Sequence, residues 1–571
     1  MSKIDLIPQF FNLPISFNSQ KMELSSNIIT DLELSSTMAI VEDVSANAIT
    51  NSMYNIILSP STTFGEKVLP QFTQYYTTDT AFLKDTQLLL KTVEPSDTYD
   101  FTSIITNWEE IKGETSFCEK YLYIDWEMGK FLNSHASFLQ MSSLYNITSP
   151  ILSFCLPVLI LILPFFIINM KGLNLNISQY TEILKNILMN HAIGKLLTNF
   201  SEVSFSEKIY LVLSTALYFF SIYQNVLVCL RFYKNINKIN MYLESIVSYM
   251  EYTNNSFNKF LSISNKLPSY TDFNSQIISH SQILQKYMTE LSDIGSFKFS
   301  WKNISNIGKI LKVFYSVYEN EKYNASIMFS FGFHGYLDNL NGLQRNITNE
   351  SINFTTFSDK EKASFNKAYY PSLMKTDHIK NDYSFSKNMC LTGPNASGKT
   401  TILKTTLCNI IFSQQFGCGC FETAIITPYK FIHCYLNIPD TSGRDSLFQA
   451  EARRCKTILD TISANSEDTH FCAFDELYSG TNPDDAINSS YTFMTYLLKF
   501  TTISCILTTH YTKVCKKLGK NKNIRNYRMK TIENNGGFEY TYMLEKGISN
   551  IKGGLKVLKD MNYPVEITGK Q

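Results

Sequence analysis

The chain has 571 residues, of which 44 % are hydrophobic and 18 % charged, and a net charge of +1. That length exceeds one ordinary core and implies several domains, while the composition excludes an intrinsically disordered chain. The near-zero net charge excludes a global basic field, so any nucleic-acid contact must come from a local patch.

The first residues lack a basic region followed by an apolar run, so no cleaved signal peptide is expected. Residues 1–146 are mixed in character, with apolar residues at helical spacing in Asp85–Lys91 and Leu122–Leu144. The composition then changes. Ile147–Met170 carries no charge, and neither do the 22 residues of Ile209–Leu230. A bilayer is crossed by about 20 apolar residues, and an ordinary core helix keeps a polar face that neither stretch shows. The two are expected to form a transmembrane hairpin with both termini on one side. Lys171, Lys185, Lys195 and Lys208 between the stretches balance Lys130, Arg231, Lys234 and Lys238 outside them, so charge leaves the orientation open.

Residues 231 to about 350 read as long helices, among them Ile236–Tyr252 and Ser279–Ile294, broken near Pro268 and Gly295. From about residue 365, short apolar runs alternate with helical patterns, which implies an α/β domain.

Three runs in that last region carry chemistry. Gly393-Pro394-Asn395-Ala396-Ser397-Gly398-Lys399-Thr400 fits the pattern of a phosphate loop. The apolar Met389–Leu391 precedes it as a strand, and Thr401–Phe412 follows as a helix. In such a loop, backbone N–H groups close around phosphate oxygens at a helix N-terminus. The Lys399 ammonium reaches the β- and γ-phosphates, and the Thr400 hydroxyl coordinates magnesium. The apolar strand Phe471–Phe474 ends in Asp475 and Glu476; Asp475 is placed for the magnesium shell and Glu476 for polarising the attacking water. Ile506–Thr509 is a third such strand and ends at His510, where an imidazole can hydrogen-bond the γ-phosphate. ATP and Mg2+ are the ligands these runs call for.

Other patterns carry less. The twelve cysteines follow no repeating spacing and read as reduced thiols. Cys418, Cys420, His433 and Cys434 match no zinc spacing. The Asn-x-Ser/Thr triplets at Asn146, Asn303, Asn346, Asn353 and Asn395 are those expected of an Asn-rich chain. Eight Lys and Arg residues from Lys513 to Lys530 occur without an intervening acid, either as a solvated loop or as a contact for DNA phosphates or anionic lipid.

The ordered motifs resemble the MutS family of mismatch-repair ATPases. Thr392-Gly393-Pro394-Asn395-x-x-Gly398-Lys399 is similar to that family's phosphate loop, Asp475-Glu476-Leu477-x-x-Gly480-Thr481 to its acidic strand, and Thr509-His510-Tyr511 to its histidine switch. Gly443-Arg444 with Ser446-x-Phe448-x-x-Glu451 resembles the opening of its signature helix, where ABC transporters carry an LSGGQ-type sequence that this chain lacks. Tyr370-Pro371 and His378-Ile379-x-Asn381-Asp382 resemble the segment leading into the ATPase, with His378 at the adenine contact. Gly547, Gly553-Gly554 and Asn562-Tyr563-Pro564 resemble the closing dimerisation element. Asp31–Leu34 and Thr63–Leu69 resemble the start of the helical lever core.

The resemblance implies an α-helical lever region followed by an α/β P-loop ATPase of the MutS/ABC type. Residues 1–146 would be an N-terminal lever part, 147–230 the transmembrane hairpin, 231–360 the lever continuation and 361–571 the ATPase and dimerisation domain. It implies nucleotide binding by Gly393 to Thr401, His378 and Ser446, metal binding by Thr400 and Asp475, and catalysis by Glu476 and His510. Ser446 would address the nucleotide of a partner, in a homodimer or with a related MutS-like subunit. Phe64-Gly65-Glu66 has the form of the family's mismatch-reading wedge but fits the lever start better. With only about thirty residues before the lever start at Asp31, no mismatch-reading module is expected. The implied function is ATP-driven movement of levers on DNA; the alternative is a membrane-anchored MutS-type ATPase that has lost mismatch recognition. The ATPase would face the cytoplasm from a membrane, or in the alternative lie in the cytoplasm or nucleus.

Overall fold

The computed structural model describes residues 2–36, 52–93, 99–172, 176–190, 195, 204–292, 305–436, 438, 446–534, 537–551, 558, 561 and 563–564. The chain forms two compact units. One joins Asp100–Asn254 and Gln282–Ile327; the other joins Met1–Tyr99, Asn255–Ser281 and Met328–Gln571.

The first unit is helical. Its long elements are α1 (Ala136–Met170), α2 (Ile177–Asn190), most of α3 (Phe205–Ser264), the end of α4 (Thr271–Ser292) and α5 (Ile307–Glu319). Aromatic rings fill its core: Phe117 stacks on Tyr318 at 3.8 Å and Tyr242 on Phe314 at 6.0 Å between centroids, with Trp108, Leu243 and Ile246 buried around them. A Cβ on Gly308 would fall 2.2 Å from the Ala136 carbonyl oxygen, so only glycine admits the approach of α5 to α1.

Ile236–Tyr252 lies inside α3, as expected. The Leu122–Leu144 stretch is not one helix. Leu122 is left-handed (φ 61°), Glu127–Ser134 is 3-10, and His135 is extended before α1 begins. Asn133 explains the turn: its amide accepts from Ile124 N at 3.0 Å and donates to Ile124 O at 2.8 Å, satisfying backbone that a helix would otherwise pair. The apolar stretches form the second half of α1, which runs through Pro150, Pro157 and Pro164, and the first half of α3. Ser279–Ile294 corresponds to the later part of α4, which follows a turn at Pro268–Tyr270; Ile294 and Gly295 lie outside the described residues.

The second unit holds the end of α6 (Glu321–Thr348) and two sheets. Strands β1 (Asn353–Phe357), β2 (Ser364–Ala368), β3 (Asn381–Ser384), β5 (Cys418–Gly419) and β6 (Thr423–Ile426) form a five-stranded sheet in the order β3-β2-β6-β1-β5. The six-stranded sheet contains β4 (Asn388–Thr392), β7 (Phe431–Tyr435), β8 (His470–Asp475), β9 (Ile503–Thr509), β10 (Ile524–Asn534) and β11 (Gly537–Lys546), in the order β11-β10-β4-β9-β8-β7. Five of these strands are parallel and β11 is antiparallel to β10. Helices α7 (Lys399–Phe416), α8 (Leu447–Ala464), α9 (Pro483–Leu497) and α10 (Thr512–Leu518) belong to this region. Buried parallel strands read as continuous apolar runs, which is why β4, β8 and β9 stand out in the sequence.

The N-terminal segments pack into this unit. Asp338 on α6 accepts from Ser61 N at 2.9 Å, Thr62 N at 2.8 Å and both hydroxyls. Phe64 is fully buried and stacks on Phe331 at 4.5 Å, a core position and not an exposed wedge.

Candidate active site

The parallel sheet delivers three strand ends to one edge. Thr392 at the end of β4 pairs with Thr509 of β9, and Asp475 at the end of β8 pairs with Thr508. Ligands in open parallel sheets bind beyond these carboxyl ends.

Residues 393–398 form the loop between β4 and α7. Ala396 and Gly398 have positive φ, 63° and 94°, a conformation glycine takes at no steric cost. Ser397 N donates to Pro394 O at 3.3 Å, and Gly398 O accepts the first helical bond of α7, from Ile402 N. Lys399 is buried, and its ammonium donates to the carbonyls of Gly393 at 3.0 Å and Pro394 at 3.2 Å. Burial pulls the Lys399 pKa down, against the opposing pull of Glu476 and Asp475.

Thr400 Oγ1 donates to Asp475 Oδ2 at 2.9 Å, while the other Asp475 oxygen accepts from Thr508. Burial raises the Asp475 pKa; the two hydroxyl bonds oppose it. Glu476 follows β8 in a left-handed conformation (φ 51°) that turns its side chain out of the strand alternation. Its Oε1 lies 3.8 Å from Lys399 Nζ and 3.5 Å from His510 Nδ1. The interaction with His510 is the main cause that lowers the Glu476 pKa, against burial.

A cleft of about 400 Å³ opens beside these groups, bordered by Gly393 to Asn395, Glu476, His510 and Ser549 to Ile551. Ser397, Lys399, Thr400 and Asp475 do not border the cleft, but two features of the adjoining loop suit a phosphate chain. Ser397 Oγ is buried without a hydrogen-bond partner, a polar group that a ligand oxygen would satisfy. The Lys399 ammonium donates its short hydrogen bonds to loop carbonyls, which are weaker partners for a cation than phosphate oxygens, with Glu476 farther off at 3.8 Å. Thr400 and Asp475 offer hard oxygen donors of the kind magnesium takes.

Expected residues outside this cluster are placed differently. Thr401 is in the first turn of α7 and does not border the cleft. His378 stacks on Tyr369 at 4.1 Å and its Nδ1 meets Thr376 O at 2.7 Å. Ser446 caps α8, accepting from Gln449 N at 3.3 Å in a capping box; it is exposed and does not border this cleft. Gly443, Arg444, Gly553, Gly554 and Asn562 lie outside the described residues.

Several neighbours escaped sequence reasoning. Tyr540 Oη donates to Asn395 O at 2.9 Å, and Thr392 Oγ1 accepts from Ser549 N at 2.9 Å, so β11 and the segment after it help to frame the loop. Glu451 on α8 is buried and accepts from Ser479 N, Ser479 Oγ and Gly480 N at 3.0–3.1 Å, tying the signature-like helix to the turn that follows Glu476. Glu451 stood inside a recognised pattern, but no spacing rule pairs it with residue 480.

The MutS domain V family matches residues 389–570. Among curated proteins, the chain is 28 % identical to the DNA mismatch repair protein MutS of Prochlorococcus marinus, over 34 % of this chain and 21 % of that protein. It is 30 % identical to the Endonuclease MutS2 of Fusobacterium nucleatum, over 41 % and 30 % respectively. It is 26 % identical to the DNA mismatch repair protein Msh3 of Dictyostelium discoideum, over 32 % and 13 %. The chain thus spans a third or less of the length of these relatives. Residues 389–570 contain the loop, the acidic pair and the histidine just described, and this segment matches domain V of the MutS family.

Proposed function

We propose that the chain is a magnesium-dependent ATP hydrolase that works as a dimer, its nucleotide cycle moving helical arms on DNA. One observation carries the reading: Glu476 stands between Lys399 and His510, at 3.8 and 3.5 Å, beside the Thr400–Asp475 pair. This is the set of charges phosphoryl transfer to water requires, since such catalysis is mostly positioning and electrostatic stabilisation.

In this reading the 393–398 backbone and Lys399 hold the β- and γ-phosphates. Thr400 and Asp475 would hold Mg2+, which supplies charge neutralisation at the transferring phosphoryl group. Glu476, kept ionised by its neighbours, accepts a hydrogen bond from the attacking water and aligns it. His510 fixes the Glu476 carboxylate and stands where a γ-phosphate would be felt. Ser446, exposed at the start of α8, is free to reach a nucleotide on a second copy of the chain. DNA as a ligand is supported by the names of the relatives and, on the ATPase side, by the exposed basic residues Lys513, Lys516, Lys520 and Lys522 on and after α10.

The test is the Glu476→Gln variant with ATP and magnesium, its mass followed in solution. Binding without turnover should accumulate a dimer that ADP does not support. A Glu476→Gln variant that hydrolyses ATP at the wild-type rate, or stays monomeric at saturating ATP, overturns the reading.

A further inference from the structure

The polarity of the α1–α3 pair is inverted relative to a pair of helices in water. On α3 between Ile209 and Leu230, the residues turned towards α1 include Tyr218, Asn225 and Cys229. The residues turned outward are apolar or tyrosine, apart from Ser221 and Gln224. Phe219 is 61 % exposed and Leu217 59 %; on α1, Phe154 is 67 % and Leu163 58 % exposed. A soluble core helix of this composition would be buried, yet only 6 % of the most apolar window of α3 is. Monomeric soluble proteins rarely expose so large a contiguous apolar surface.

Tyr218, Asn225 and Cys229 find partners within the pair, whereas Thr215 Oγ1 is buried without a hydrogen-bond partner. Tyr218 Oη donates to Ser153 O at 3.2 Å, Asn225 Nδ2 to Ser153 Oγ at 2.5 Å, and the Cys229 thiol to Ile147 O at 3.6 Å. These contacts set α1 and α3 antiparallel as a hairpin. Side-chain and backbone polar groups paired between helices, with apolar groups outside, are the arrangement hydrocarbon demands. The lengths agree. At 1.5 Å per residue, Ile147–Met170 spans ~36 Å and Ile209–Leu230 ~33 Å, against a hydrocarbon thickness of about 30 Å. Charges begin at both ends, with Lys171 and Lys208 at one and Arg231 and Lys234 at the other.

The connection adds an element fitted to an interface. Helix α2 buries Tyr180 against Phe165 of α1, with ring centroids 4.7 Å apart, while Ile183 and Ile187, one turn apart, are exposed beside the polar Glu182, Lys185 and Asn186. A helix with one such apolar stripe lies in the plane of a headgroup region.

We propose that the α1–α3 hairpin is seated in a lipid bilayer, held as a pair by the Ser153–Tyr218–Asn225 contacts, with α2 on the membrane surface opposite to the ATPase. The inference goes beyond the ATPase reading and does not depend on it.

The test uses the full chain expressed in cells and its membranes floated on a density gradient. The protein should rise with the lipid, resist alkaline carbonate and high salt, and dissolve in detergent. The Lys399→Ala variant should float identically, which separates this result from any failure of ATP turnover. Leu217→Arg with Phe220→Arg, both outward, should cut the floated fraction severalfold. An added cysteine at Ser178 on α2 should take up an impermeant maleimide from the side of the membrane opposite to one at Lys513. Four results each overturn the proposal: a soluble oligomer whose copies cover the apolar face, a lipid-free aggregate at the bottom of the gradient, release by carbonate or salt, and labelling of both cysteines from one side.

Discussion

Thr400 donates a 2.9 Å hydrogen bond to Asp475, so the first turn of α7 and the end of β8 are joined by the two side chains proposed to share a magnesium ion. Thr400→Val removes the hydroxyl and keeps the shape. It should weaken magnesium-dependent ATP binding by at least about tenfold, read by calorimetry with and without magnesium, while nucleotide binding in EDTA changes little.

Lys399 is buried, its ammonium donating to loop carbonyls and lying 3.8 Å from the Glu476 carboxylate. Its charge is costly to bury and is best compensated by phosphate. Lys399→Ala should therefore lower kcat/KM for ATP by about 10²-fold or more. Its melting temperature without nucleotide should stay near that of the wild type, whereas the stabilisation that ATP gives the wild type should disappear.

Glu451 holds the turn at Ser479 and Gly480 by three hydrogen bonds. Glu451→Ala leaves those donors unpaired and should cost on the order of 1–3 kcal/mol, measured by urea unfolding. Glu451→Gln retains one acceptor oxygen and should recover part of the loss. If α8 and the turn move together in the cycle, turnover falls with both variants in the same order.

Two carboxylates give opposite pH signatures. Glu476 has a lowered pKa, first through His510. Its contribution to stability is present above the unfolded value of about 4.3 and is lost as pH falls through the folded value. Turnover should not decline through Glu476 protonation until the pH drops below that range, and His510→Ala should move the acid limb upward. Asp31 is raised to about 6 by burial, against the opposing effects of Cys434 and Arg454. Its folded form keeps the proton longer than the unfolded chain, so the associated stability is full below about 3.9 and is lost as pH rises through 6. Asp31→Asn should raise stability by about 2 kcal/mol at pH 8 and leave it unchanged at pH 3.5.

The strand ends were legible because a strand buried on both faces must be apolar throughout and a ligand-facing residue interrupts it. Met389–Leu391, Phe471–Phe474 and Ile506–Leu507 have this form and lead into Thr392, Asp475 and Thr508; Thr508 bonds Asp475, and Thr392 pairs with the adjoining Thr509. The framing by Tyr540, Ser549 and Glu451 was not legible, since it depends on register and long-range packing that spacing does not encode. Leu122–Leu144 misled for a local reason: side-chain hydrogen bonds of Asn133 compete with helix, and periodicity counts only apolar residues. Chain order also conceals that residues 1–99 pack in the same unit as the domain V strands.

The most direct measurement is the steady-state release of phosphate from ATP by the purified full chain. With magnesium, the wild type should turn over, and both EDTA and Glu476→Gln should abolish turnover while Glu476→Gln still binds ATP. Phosphate release that is equal in wild type and Glu476→Gln, or a wild type that neither binds nor hydrolyses magnesium-ATP, contradicts the account.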